Sequence, residues 1–128
     1  MLCNEILTAA LKLLGESGTD ADNPDYAERA PYIIAAFVGE AAELDSRYRR
    51  AHGLAEANIK DTVSIPLTYT FPLSSRFASS CTLYLASLLI CDESPELSET
   101  YYDRYCDNMS RISASLPFIS EDTLNVYP

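Results

Sequence analysis

The sequence predicts an all-α fold of about four helices, two long and two shorter. One extended arm or short β segment is expected between the second and third. Three observations carry this reading. Apolar residues recur at spacings of three and four in three stretches, the signature of a helix with one buried face, and a fourth stretch is apolar nearly all round. Glycine and proline punctuation falls between those stretches and rarely inside them. Only residues 62–71 alternate with period two, as an extended segment does. The 128 residues fit one domain, 1–128, with residues 51–72 as an arm within it.

The first helix is expected over residues 3–14, with Cys3, Ile6, Leu7, Ala10, Leu13 and Leu14 on one face. Gly15 then stops it, because glycine takes the left-handed conformation that ends helices. A polar, acid-rich loop follows over residues 16–24. The second helix is expected over residues 25–49, with a stripe of Ala27, Ala30, Ile34, Phe37, Ala41, Leu44 and Tyr48. Pro31 falls inside it and either kinks it or marks its true first turn; we read one long helix with a weak first turn.

In residues 62–71 the apolar Val63, Ile65, Leu67, Tyr69 and Phe71 alternate with Thr62, Ser64, Pro66, Thr68 and Thr70. Pro66 cannot donate to a ladder, which makes this an edge or an arm. The third helix is expected over residues 73–91. Its second half is apolar nearly all round, so it belongs at the centre of the fold. Ser94 and Pro95 then supply an N-cap and a first-turn proline for the fourth helix. That helix carries Leu97, Tyr101, Tyr105, Met109 and Ile112 on one face. Beyond it, Phe118, Ile119, Leu124, Val126 and Tyr127 are available to dock.

Charge excludes several functions. Nine basic against nineteen acidic residues give a net charge of −10, which repels phosphate and argues against a free-standing nucleic-acid-binding domain. No apolar run is long enough to span a bilayer and no secretory signal is read, so the four cysteines are expected as free thiols. The acids concentrate in residues 16–28 and 92–107, leaving the remainder neutral. Within that remainder Arg47, Arg49 and Arg50 form a local basic cluster just before His52, the one histidine.

No catalytic constellation emerges. His52 sits in an expected loop, whereas Cys81 and Cys91 belong to the most apolar helix, so a Cys–His nucleophile is not assembled. One histidine with scattered cysteines does not make a zinc site. Residues 20–25 resemble the start of a calcium loop, but the required glycine is missing and the closing glutamate position holds Pro31. Gly15 and Gly18 have no preceding strand or following lysine to build a phosphate cradle. The pairs Glu40/Glu43 and Glu96/Glu99 suit solvated helix faces. No enzyme activity, cofactor or metal is therefore expected.

The run Leu83-Tyr84-Leu85-Ala86-Ser87-Leu88-Leu89-Ile90-Cys91-Asp92-Glu93-Ser94-Pro95-Glu96-Leu97 leads into Tyr101-Tyr102-Asp103-Arg104-Tyr105. It resembles the C-terminal helix pair of head–tail connector (adaptor, head-completion) proteins of tailed phages. There an apolar helix ends at an acidic turn and an aromatic-rich helix follows. Residues 6–15 and 41–47 suit the same plan; residues 51–71 fall outside it. The resemblance implies a structural subunit of the virion neck, made in the bacterial host cytoplasm. It would form a homo-oligomeric ring under the portal protein, extend the channel through which DNA passes without sequence-specific binding, and dock neck and tail proteins.

Within that reading Arg47, Arg49 and Arg50 face the channel or a partner. Val63, Ile65, Leu67, Tyr69 and Phe71 form an assembly arm. Tyr102, off the Leu97–Tyr101–Tyr105 line, is left for a neighbouring subunit. The competing reading is a cytosolic helical adaptor or regulatory protein-binding module that forms no ring.

Overall fold

The computed structural model describes residues 1–15, 23–57, 59 and 62–116. The acidic loop before α2 and the apolar residues after Leu116 lie outside the described residues. Four α-helices follow in order, as the periodicity predicts: α1 (Cys3–Leu13), α2 (Pro24–Ala51), α3 (Ala78–Ile90) and α4 (Pro95–Ser115). Among the described residues there is no β-ladder, and one isolated antiparallel bridge joins Leu2 to Thr70.

Each helix ends where local chemistry dictates. Gly15 takes a φ of 77° after α1, and Ser94 accepts from the Leu97 amide at 3.3 Å to open α4. Pro24 occupies the first turn of α2, where its missing N–H is no loss. Pro31 stays inside α2, which runs on for five further turns. Helix three begins later than residue 73. Residues 75–77 form a 3₁₀ turn, and the Ser74 amide, free of any helix, donates to a carboxylate of α2.

The apolar α3 is central, packing against α1, α2 and α4. Its contact with α4 is close because two serines face each other. Ser87 Oγ donates to the Ser98 carbonyl at 2.9 Å, and Ser98 Oγ donates back to the Ser87 carbonyl at 2.8 Å. Phe37, Phe77, Ile6, Leu7, Leu11, Ile34, Leu85, Leu89 and Ile112 are almost wholly removed from water. At roughly 1.5–3 kcal/mol for each large apolar side chain buried, they dominate the stabilising side. Helix ends are tied across the bundle. Arg29 of α2 donates to the Leu88 carbonyl at 3.0 Å near the C-terminus of α3, and Tyr101 of α4 donates to the Leu13 carbonyl at 2.7 Å at the end of α1. Both carbonyls are acceptors that a helix end leaves without an internal partner.

Candidate partner-binding surfaces

The arm between α2 and α3 is committed to its own chain. The Cys3 amide donates to the Tyr69 carbonyl and the Asn4 amide to the Leu67 carbonyl, both at 2.9 Å. These are the first two donors of α1, which a helix always leaves orphaned, so the arm acts as a backbone cap. The Phe71 amide returns a bond to the Met1 carbonyl at 2.8 Å, and Ile65 donates to the Pro31 carbonyl at 3.1 Å.

The single apolar face expected from alternation does not form. A turn closed by the Tyr69 amide on the Pro66 carbonyl at 3.0 Å rotates the chain halfway along. Ile65 and Phe71 consequently turn inward, each 6% exposed, and Leu67 is half-buried. Val63 and Tyr69 point outward at 81% and 61%.

The three arginines separate. Arg49 turns inward: its Nε donates to Asp45 Oδ2 at 2.9 Å, and its terminal nitrogens reach the Ala55 carbonyl at 3.3 Å and the Pro72 carbonyl at 3.4 Å. The expectation of an outward Arg49 is therefore corrected. The Asp45 carboxylate beneath it is fully buried and also accepts from the Ser74 amide at 2.9 Å. One ion pair thus holds both ends of residues 55–72 against the last turns of α2. Arg50 remains exposed and pairs with Glu56 at 3.2 Å. Arg47 is half-buried, with its Nε covered and, among the described residues, without a hydrogen-bond partner.

Sequence reasoning missed Asp45. The signal was present: Asp45 lies four residues after the stripe residue Ala41 and four before Arg49, a charge on the buried face with a cation one turn away.

Tyr102 is 44% exposed, and its ring leans on Tyr105 at 5.4 Å between centroids. Behind it Tyr84 and Tyr105 pack at 4.9 Å, each against Phe37, and Tyr105 donates to Glu40 Oε2 at 3.2 Å. Burial pushes both phenol groups, Tyr84 and Tyr105, above the usual tyrosine range, and the Glu40 carboxylate adds to the shift. Both hydroxyls stay protonated, and that of Tyr105 is the donor to Glu40. Burial likewise raises Cys3 and Cys81. A thiol held protonated is neither nucleophile nor ligand.

His52 stacks on Tyr48 at 4.3 Å and its Nδ1 lies 2.9 Å from the Tyr48 carbonyl. Among the described residues no group of three or more His, Cys, Asp or Glu side chains could hold a metal, and no helix is long and apolar enough to cross a membrane. An open groove of about 320 Å³ runs along the arm past Ile59, Ile65, Tyr69 and Pro72. A second, of about 390 Å³, lies between α1 and the start of α3, with Glu5 and Arg76 among its lining residues. Comparison with family models, characterised proteins and solved structures returns no match for this chain.

Proposed function

We propose that the protein is a structural subunit of the neck of a tailed phage or prophage, a head–tail connector that assembles as a ring beneath the portal. The observation that carries this reading is the α3–α4 hairpin. A central apolar helix turns through acidic residues into a capped, tyrosine-rich helix that keeps Tyr102 outward. In such a ring Tyr102 meets the neighbouring subunit, and the acidic surface lets DNA pass without holding it. The work is mechanical and recognitional, with no turnover and no cofactor.

Arg47 and Arg50 are the channel-facing or partner-facing cations of this reading. Arg49 is left out, since it holds the arm. Exchange of Arg50 for Gln is expected to leave Tm nearly unmoved, because an exposed charge contributes little to stability, while particle assembly falls when Arg47 and Arg50 are both exchanged. Normal infectivity of particles carrying both changes removes the role assigned to them.

A second reading has an observation in its favour. The arm's amides at Ile65, Tyr69 and Phe71 and its carbonyls at Leu67 and Tyr69 bond to its own chain, so strand exchange is not needed to hold subunits together. That suits a helical adaptor that binds one partner and forms no ring. Genes for portal, capsid and tail proteins beside this one favour the connector; their absence favours the adaptor.

A further inference from the structure

The outer face of α2 carries a glycine that its own chain does not explain. Gly39 lies in the middle of the helix, where glycine costs about 1 kcal/mol relative to alanine. Among the described residues a Cβ built there meets nothing within 4 Å, so none of them requires its absence. One turn away, Ala36 is exposed as well. Two adjacent small residues on an open face permit a second helix to come close, at roughly 8 Å between axes.

The charges along that face supply the occupant. Positions 25, 28, 32, 36, 39, 43, 47 and 50 step by three or four and share one side of the helix. Their order is acidic at the start, small in the middle and basic at the end. Reversed about a point between Phe37 and Val38, the row matches itself: Asp25 falls opposite Arg50, and Glu28 opposite Arg47. Tyr32, 58% exposed, falls opposite Glu43, a phenol donor against a carboxylate. At the centre Ala36 falls opposite Gly39.

We propose that a second copy of this chain docks here, its α2 antiparallel to the first, forming a two-fold dimer. An isologous interface requires this self-complementarity, because each patch must bind its own image. The shape fits the charges. Small residues occupy the point of closest approach, and long side chains occupy the ends, where two helices crossing at about 20° have diverged. Arg50 currently reaches Glu56 and Asp25 reaches Arg29, both on the surface, and such exposed pairs exchange partners at little cost. Arg47 already has its Nε covered without a hydrogen-bond partner among the described residues. The net charge of −10 on each copy opposes association, but salt near 0.15 M screens it beyond about 8 Å while contacts across the helix pair persist.

One helix pair buries less than the roughly 1,200–2,000 Å² of a standard interface, which places the dimer among small, transient associations. The proposal rests on the reading of Arg47 and Arg50 as partner-facing and is independent of the ring. Rings without the dimer, or the dimer without rings, separate the two.

Sedimentation of the full chain up to its solubility limit should show a monomer–dimer equilibrium. Arg47→Glu with Arg50→Glu, and separately Asp25→Arg with Glu28→Arg, should each weaken it at least tenfold. Mixing these two variants should restore it as a heterodimer, because all four charged contacts then become opposite again. Both variants stay net acidic, since each exchange moves the formal charge of −10 by four units, so bulk attraction cannot mimic the rescue. Gly39→Leu, which raises helix propensity, should keep the fold by circular dichroism and lose the dimer. A wild-type protein that stays monomeric throughout overturns the proposal. So does a dimer that survives Gly39→Leu, or a mixture of charge variants that fails to associate.

Discussion

Arg49→Gln is expected to destabilise the protein more than Asp45→Asn, although both break the same ion pair. The asymmetry follows from burial: the Asp45 side chain is 0% exposed and that of Arg49 is 21% exposed. Removing the arginine strands a fully buried carboxylate, which costs about 3–5 kcal/mol when no cation replaces it. Some of that is recovered here because the Ser74 amide still donates to Oδ1, so about 3 kcal/mol is expected. Removing the acid charge leaves a guanidinium that can turn towards water. The asparagine oxygen keeps the Ser74 bond, and about 1 kcal/mol is lost. For a chain of this length 1 kcal/mol corresponds to roughly 3–5 °C in Tm, so Arg49→Gln should melt about 10 °C low and Asp45→Asn about 4 °C low. Thermal and urea unfolding followed by circular dichroism measure both, and the double variant gives the coupling. Equal losses, or an Arg49→Gln protein melting within about 1 °C of wild type, refute the claim that this pair clamps the arm.

Gly39→Ala should raise stability by about 1 kcal/mol, because the added methyl enters open space and the helix gains propensity; an unchanged urea midpoint contradicts it. Alkaline pH should destabilise the fold in two stages. Cys3 and Cys81 have folded pKa values above their unfolded ones, so their contribution is complete below about pH 8.5 and is lost as pH rises through the folded values. Tyr84 and Tyr105 add the same effect above about pH 10, and Tyr105→Phe should flatten that second stage in a series of melts. Hydrogen exchange on the free protein should protect the amides of Ile65, Tyr69 and Phe71, each bonded to its own chain; free exchange there would mean that the arm is not docked.

Helix existence and order were legible because each rests on signals confined to a few residues: the three–four spacing, Gly15, and Ser94 with Pro95. The central place of α3 was legible from its all-round apolarity. What escaped depends on contacts between distant residues. The start of α3 moved from Leu73 to Ala78 because Asp45, twenty-nine positions earlier, takes the Ser74 amide. The period-two pattern of the arm was real in sequence but was overridden by the Pro66–Tyr69 turn and by bonds to the N-terminus of α1. Arg47, Arg49 and Arg50 read as one cluster because sequence proximity says nothing of helical angle. A single residue of offset sends Arg49 inward and Arg50 out.

Electron microscopy of the purified protein at high concentration, alone and mixed with the portal of the same phage or prophage, tests the connector reading most directly. Closed rings with a central opening wide enough for duplex DNA, seated on the portal in the mixture, are the expected result. Particles no larger than a two-fold dimer in both samples, with the portal left bare, would contradict it.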